Sequence, residues 1–348
     1  MTKLQKKKKI GIVGGGVIGL TCASVLSSKY DVSVVAEKVG VKSDSWKATA
    51  IWHVYLVPET EQVLSWAQFT LKVLCDLARE KDAGIELVKG IELFRNSSAS
   101  YPSWSNIPPL FKMLSDDEIA FYNSYENHNL TQEEFSTLSS HPVKWGYHIK
   151  APTADMFLYL SWLEKKVENE GVKIVKKSIE HFKELENDFD LLINCSGFGA
   201  RELADDKNFE VYRGQYFILK ANPDSPKVYV GDDDHPGGMA YMIPRLGEVM
   251  VGGCAEKNIE SLELTLTWDD TLSRAGLYVP WLRNRKPNDQ AREPIVGIRP
   301  SRKAGIRLEF DKDSISIPVI HNYGHGGSGF SLSWGCAESV KELIENQL

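Results

Sequence analysis

Cysteine is sparse in this chain: five residues, at positions 22, 75, 195, 254 and 336. The number is odd, the spacing is wide, and no pair forms Cys-x-x-Cys, which speaks against a zinc site, any other metal centre or a disulfide framework. Isolated thiols suit a reducing compartment, and all five are expected to be buried as small hydrophobes. Long apolar runs are missing as well. None approaches the roughly 18 residues that span a bilayer, so no membrane association is expected. The Lys-rich start looks like a signal-peptide n-region, but Gly14, Gly15 and Gly16 break the apolar stretch that would have to follow it. Positive charge is not in excess: 41 Lys and Arg against 47 Asp and Glu leave a net charge of -6. That balance argues against nucleic acid as a partner, because phosphate binding needs a basic surface. The one basic run, Lys6 to Lys9, reads as a solvated arm. The C-terminus reads Glu-Asn-Gln-Leu, not the peroxisomal Ser-Lys-Leu, and a cytoplasmic location is expected, with a peroxisomal one as the alternative.

What remains, 348 residues of which 42% are hydrophobic, is ordinary globular composition for one large domain or two joined ones. Ile10 to Val13 predicts a buried strand, a Gly-rich turn follows, a helix runs from about Val17 to Ser28, and Asp31 to Ala36 is a second strand. Val63 to Leu77 predicts a helix, with Trp66, Phe69, Val73 and Leu77 on one face. Ser97 to Pro109 and Asn127 to Pro142 read as irregular, with one helical turn near Thr131 to Glu134. Met156, Leu160, Leu163 and Val167 make a helical stripe. Gly171 is expected to cap that helix, and Val172 to Val175 to form a strand. Leu191 to Asn194 is another buried strand. Strand signals then dominate: Gln215 to Leu219, Lys227 to Val230, Ala240 to Ile243 and Glu248 to Val251. Helical signal returns at Leu264 to Val279. The chain closes with a glycine loop, Gly324 to Gly329, and a helix to about Ile344. The class is α/β, and the alternation suggests a discontinuous cofactor domain with a mixed, β-rich domain built from its insertions.

Gly14-Gly15-Gly16-Val17-Ile18-Gly19 fits G-x-G-x-x-G, placed after a strand and at the start of a helix. Gly14 permits the tight turn, Gly16 lets the backbone approach a pyrophosphate, and Gly19 lets helix and sheet pack closely. The helix N-terminus adds free N–H groups and partial positive charge. Glu37, 18 residues beyond Gly19, suits the two ribose hydroxyls of an adenosine and would repel a 2′-phosphate. The motif does not separate FAD from NAD.

A second constellation lies near the C-terminus. Val319-Ile320-His321-Asn322-Tyr323 runs into Gly324-His325-Gly326-Gly327-Ser328-Gly329 at a helix start. Such a loop brings backbone N–H groups against a planar ligand and favours negative charge there.

This segment resembles the signature of the D-amino-acid oxidase family, FAD enzymes that include D-amino-acid and D-aspartate oxidases, and the likeness extends over most of the chain. Asn194-Cys195-Ser196-Gly197 resembles the family's second dinucleotide segment. Thr49-Ala50-Ile51-Trp52 resembles the stretch along the isoalloxazine ring, and Ile179 an adenine-side contact. Arg213-Gly214-Gln215 opens the substrate domain in the family, the tyrosine of Tyr241-Met242-Ile243-Pro244 contacts substrate, and the arginine of Gly297-Ile298-Arg299-Pro300 holds its carboxylate.

The resemblance implies a Rossmann-like FAD-binding domain over residues 1–55, 143–210 and 295–348, with a mixed β-rich substrate-binding domain over 56–142 and 211–294. It implies noncovalent FAD held by Gly14, Gly16, Val17, Ile18, Gly19, Glu37, Lys38, Ser43 and Ser45. Thr49, Ala50, Ile51, Ile179, Ser196 and Gly197 join them, with Arg299 and the run Gly324, Gly326, Gly327, Ser328, Gly329, Phe330 and Ser331. Substrate contacts fall to Tyr241, Arg299, Gly327, Ser328 and His53. The implied reaction passes hydride from the Cα of a D-amino acid to flavin N5, then to oxygen, yielding peroxide, ammonia and a 2-oxo acid. No protein residue is assigned as a catalytic acid or base. His321 and His325 are read as hydrogen-bonding residues that shape the glycine loop, and Arg302 as structural.

Many family members are dimers, which makes a homodimer a candidate assembly. Cys336 lies near the loop where some amine oxidases attach flavin, but within the helix, which implies noncovalent binding. One departure stands out: Gly237 occupies the position, four before Tyr241, where many members carry a lid tyrosine. That leaves side-chain preference open between neutral and acidic D-amino acids, with a glycine or sarcosine oxidase as a third reading. An acidic substrate needs a further cation, for which Lys257, Arg245 and His53 are candidates.

Overall fold

The computed structural model of the protein describes residues 7–96, 101–124 and 130–347. Lys6, residues 97–100 of the first irregular stretch and residues 127–129 of the second lie outside them. The strands, in chain order, are β1 (Lys9–Gly15), β2 (Asp31–Val39), β3 (Ile85–Phe94), β4 (Leu110–Met113) and β5 (Trp145–Ala154). Then come β6 (Lys173–Val175), β7 (Leu191–Asn194), β8 (Phe209–Lys220), β9 (Val228–Asp232) and β10 (Ala240–Arg245). The last are β11 (Glu248–Gly252), β12 (Glu256–Lys257), β13 (Gln290–Arg302), β14 (Arg307–Asp311) and β15 (Val319–Tyr323). The helices are α1 (Val17–Leu26), α2 (Glu61–Leu77), α3 (Asp116–Tyr122), α4 (Gln132–Ser140), α5 (Met156–Asn169), α6 (Ala200–Leu203), α7 (Trp268–Gly276) and α8 (Gly329–Gln347). The chain divides into two compact units, one of Met1–Ile85, Asp155–Tyr212 and Arg299–Leu348, the other of Glu86–Ala154 and Arg213–Ile298.

The first unit is built on a six-stranded sheet in the order β14-β15-β7-β1-β2-β6. β1, β2, β6, β7 and β15 pair in parallel, and β14 is antiparallel at the edge. Parallel strands need both faces covered, and the central ones read accordingly: Ile10, Ile12, Val13 and all of Leu191–Asn194 are buried. α1 is apolar nearly all round, because it too is enclosed, with Val17, Leu20, Cys22, Ala23 and Leu26 buried. α5 carries the expected stripe of Met156, Leu160, Leu163 and Val167, and Asp155 caps it by accepting from the N–H groups of Phe157 and Leu158. Gly171 follows with φ +83, as a helix-ending glycine requires.

α2 belongs to this first unit, although the sequence grouped residues 56–85 with the insertions. The reason is a close helix crossing. Trp66 Nε1 donates to Ser339 Oγ at 2.8 Å, and the Gly335 N–H to Thr70 Oγ1 at 2.9 Å. A Cβ on Gly335 would lie 2.4 Å from the backbone of Trp66.

The second unit is a nine-stranded sheet, β12-β8-β11-β10-β9-β3-β5-β4, with β13 paired to β8. Its core gathers Leu93, Phe217, Leu219, Val230, Met242, Val249 and Val251 beneath Leu272 and Ala275 of α7. The expected helix Leu264–Val279 is shorter, limited to α7. Gln215 Oε1 accepts from the N–H groups of Thr265 at 2.7 Å and Leu266 at 3.4 Å. Those groups are committed to β8, so the helix starts only after the Thr267 cap. The stretch expected to hold one helical turn near Thr131 instead forms α4, started by a capping box between Thr131 and Glu134. Of the cysteines, Cys22, Cys195 and Cys336 are buried, but Cys75 and Cys254 are only half-buried. Cys254 is drawn toward polar neighbours, its thiol donating to Glu256 Oε2 at 3.3 Å.

Candidate functional site

In the first unit the carboxyl ends of β1, β7 and β15 adjoin, and turns follow each of them. The β1 turn is a glycine cradle. Gly14 has φ +115, and a Cβ there would strike the Cys195 carbonyl at 2.3 Å. On Gly19 a Cβ would meet the Gly14 carbonyl at 1.9 Å, which is why α1 can start so close to its strand. Gly16 caps α1 without any side-chain bond of its own, and a Cβ on it would fall 2.7 Å from Ser45 Oγ. Ser45 Oγ accepts from the Val17 N–H at 3.0 Å, and Ser43 Oγ donates to Gly40 O at 2.6 Å. Gly16 and Ile18 are half-exposed, whereas Val17 and Gly19 are buried. Glu37 and Lys38 are exposed near the end of β2, which runs to Val39 after a register shift that pairs Gly15 with Val39. Bare backbone, a helix N-terminus and an acidic residue on the neighbouring strand fit a dinucleotide.

The C-terminal glycine loop meets the segment 49–56. Gly324 and Gly326 take φ +84 and +54, where side chains are disfavoured. Ser328 Oγ accepts from the Tyr55 N–H at 2.7 Å and donates to the Tyr55 carbonyl at 2.9 Å. Ser331 Oγ accepts from the His53 N–H at 2.9 Å and donates to Ile51 O at 3.5 Å. Both hydroxyls thus clamp the extended strip that carries Thr49, Ala50 and Ile51, with Ala50 at φ +52. A Cβ on Gly327 would strike the Tyr55 ring at 2.5 Å, so that glycine is a seat for the ring. Gly329 opens α8, and its Cβ position lies 3.9 Å from Val17 Cγ1, which sets the N-termini of α1 and α8 side by side. Phe330 is buried, edge-on to Tyr159.

Ser196 follows β7, its hydroxyl and N–H both bound to Asn194 Oδ1 at 2.6 and 3.2 Å. Gly197 has φ +57 with open space where a Cβ would stand. Ile179 is half-buried against the cluster of Val13, Val35, Phe182 and Leu192. Burial pushes the His325 imidazole down to about 3, and its Nε2 has no hydrogen-bond partner among the described residues. The His325 carbonyl accepts from the Ser328 N–H at 2.8 Å, which tightens the loop. Arg302 bonds Asp206 and Gly305 O.

Arg299 is half-exposed on β13, its guanidinium over the Tyr55 ring at 5.9 Å from the centroid. Tyr55 in turn stacks with His53 at 6.1 Å. Tyr55 was not among the expected site residues; its one signal is the alternation of Ile51, His53 and Tyr55 along one extended strip. Desolvation pushes His53 down to about 4, so its ring is uncharged at neutral pH.

In the second unit Tyr241 is buried on β10, between Gly231 and Gly252. A Cβ on Gly252 or Gly253 would fall 2.5 to 2.7 Å from the Tyr241 ring and hydroxyl, so these glycines make room for it. Gly237 lies in the turn before β10. Its N–H donates to His235 Nδ1 at 3.0 Å, and its carbonyl accepts from Arg274. Arg245 is buried and paired with Glu248 at 3.0 Å, and Lys257 is exposed on β12.

The FAD dependent oxidoreductase family matches residues 9–343. A curated D-amino-acid oxidase from Rubrobacter xylanophilus is 33% identical over 95% of this chain and 94% of its own. The human D-aspartate oxidase is 29% identical over 97% of this chain and 94% of its own. Among solved structures, glycine oxidase from Geobacillus kaustophilus superposes with a TM-score of 0.73 at 15% identity, covering 98% of this chain and 96% of that one. An L-amino acid deaminase from Proteus vulgaris reaches 0.75 at 12% identity, covering 100% and 92%. These structures share the fold, while their names differ in substrate.

Proposed function

The chain belongs to the family of FAD dependent oxidoreductases, and from that premise we propose that it oxidises D-amino acids to 2-oxo acids. In the balanced reaction a D-amino acid, oxygen and water give a 2-oxo acid, ammonia and hydrogen peroxide. Bound FAD supplies the two-electron acceptor. The first unit is read as its receptor: the glycine cradle and α1 for the pyrophosphate, the strip 49–51 and the Gly324–Gly329 loop for the flavin. Cys336 is buried within α8, and burial pushes its thiol well up, so it stays neutral and no covalent attachment is expected.

The observation that carries the substrate reading is the setting of Arg299. Its guanidinium lies over a ring whose backbone is clamped by the glycine loop. A planar fork held there can bind a carboxylate bidentately and fix its orientation. A carboxylate fixed in this way presents the Cα–H of one enantiomer, which is the source of handedness. No residue is asked to act as a base if the amine arrives neutral.

Neutral side chains are favoured over acidic ones. Of the three candidate cations, Arg245 already faces Glu248, Lys257 is exposed on β12, and His53 carries no charge at neutral pH. Five sparse, widely spaced cysteines suit a reducing, cytoplasmic setting, and no described helix is long and apolar enough to cross a membrane.

The test is a peroxide assay on purified, FAD-loaded protein with D- and L-alanine, D-aspartate, D-glutamate, glycine and sarcosine in parallel. Peroxide from D-alanine but not L-alanine is expected, with Arg299→Met lowering kcat/KM by about 100-fold or more. A dominant D-aspartate rate would move the assignment to the acidic branch. Silence with every substrate would sink it.

A further inference from the structure

Three strands of the first unit end side by side, and a chain of buried and half-buried side-chain hydrogen bonds links β15 to β7 and on to the turn that follows it. In the parallel pairing of β15 with β7, His321 lies opposite Asn194, and Asn194 lies opposite Val13 of β1. His321 Nδ1 and Asn194 Nδ2 are 3.2 Å apart. The other end of that amide, Oδ1, accepts both the hydroxyl and the N–H of Ser196 at 2.6 and 3.2 Å. The Cys195 N–H donates to Val13 O at 2.8 Å, and the Cys195 carbonyl faces Gly14 so closely that a Cβ there would stand 2.3 Å away. The turn 195–197 is therefore pressed against the glycine cradle, and its form depends on which way the Asn194 amide points.

What decides that direction is the imidazole. His321 Nε2 lies 3.4 Å from Asp311 Oδ2. A carboxylate only accepts, so the ring proton sits on Nε2 and Nδ1 is left as a lone pair. That lone pair accepts from Asn194 Nδ2, and the amide oxygen is thereby turned toward Ser196. Asp311 stays ionised because Ser314 and the Asp313 N–H also donate to it.

We propose that Asp311 and His321 form a positioning relay that, through Asn194, holds the Ser196–Gly197 turn in the form that receives FAD; the proposal rests on the cofactor placement given above. In this reading His321 acts through Asn194 and is assigned no contact with cofactor or substrate. It is 1% exposed, faced by Arg307, Glu309 and Asp311 of β14, Tyr323 of β15 and the Phe182 ring. Burial and the Arg307 charge hold its imidazole below the usual range, against the opposing pull of Asp311 and Glu309. Protonation would set an Nδ1–H against the Asn194 NH2, two donors face to face. The amide would have to rotate, and the Ser196 N–H would lose its acceptor.

The test is FAD binding by the apoprotein, read by quenching of flavin fluorescence between about pH 5 and pH 8. Wild type, His321→Gln, His321→Leu and Asn194→Asp are compared. Wild type is expected to bind FAD more weakly as pH falls. His321→Gln keeps an acceptor without a titrating ring, and should bind well with a flat profile. His321→Leu should lose about 10-fold or more at all pH values. Asn194→Asp replaces the donor by an acceptor, so its binding should improve as His321 protonates, the reverse of wild type. Equal affinity in His321→Leu and wild type, or one shared pH profile in all four proteins, would overturn the relay. If His321→Leu fails to fold, the opposed slopes of wild type and Asn194→Asp decide the matter. Wild type that binds no FAD at any pH would overturn the cofactor reading first, and the relay with it.

Discussion

At the scale of single residues, glycine positions separate into those that must be bare and those that merely need a positive φ. Gly14 is of the first kind, with φ +115 and the Cys195 carbonyl 2.3 Å from any Cβ. Gly197 is of the second, at φ +57 with open space around it. Gly14→Ala is therefore expected to cost about 3 kcal/mol from strain and overlap, and Gly197→Ala only about 1 kcal/mol. Urea denaturation of the two apoproteins would check this, and equal losses would contradict the geometry. The glycine motif was legible from the sequence because it is local. Ser328 and Ser331 were expected at the site from the family resemblance, but that resemblance did not reveal the use of their hydroxyls, which clamp Tyr55 and His53 from far along the chain. Tyr55 had no motif to mark it, since its setting depends on Gly327 and Arg299.

At the scale of elements, periodicity found those with one dominant face. α5 shows the expected apolar stripe, and β1 and β7 are short, buried and uninterrupted; α2 forms as expected but buries Val63, Trp66, Thr70, Leu74 and Leu77, leaving the expected Phe69 exposed and Val73 half-buried. β3 and β5 escaped because charged and polar residues interrupt them, Glu86, Lys89 and Glu92 in one and His148 and Lys150 in the other. Glu92 is buried nonetheless, and burial beside Asp232 and Asp233 pushes its carboxyl well above the usual range. The α2–α8 crossing, invisible to periodicity, depends on one missing side chain. Gly335→Ala would place a methyl 2.4 Å from the Trp66 backbone. A loss of about 3 kcal/mol and a lower Tm are expected, and an unchanged Tm by calorimetry would show that α2 can shift without cost.

At the scale of the whole molecule, buried neutral histidines tie stability to pH. Burial pushes His235 and His325 down to about 3, His235 helped by Arg95 and Arg274. In the unfolded chain such groups titrate near 6.5. Between those values the unfolded state binds more protons, so stability is full above about pH 6.5 and is lost as pH falls toward 3. Each histidine contributes a slope of up to about 1.4 kcal/mol per pH unit. Urea midpoints followed from about pH 7 to pH 5 should fall, and His325→Gln should flatten the decline. A parallel decline in the variant would mean that His325 is not held neutral by the fold.

The sequence by itself determined the α/β class, the glycine cradle after β1 and the family likeness, because each is written in a contiguous run of residues. Chain neighbours within such a run are held close by covalent geometry, so spacing alone reports their relation. The tertiary structure decided what is made by residues far apart: α2 against α8, Ser328 against Tyr55, and His321 against Asn194. Those contacts depend on packing and on the direction of shared protons, which no single stretch of sequence contains.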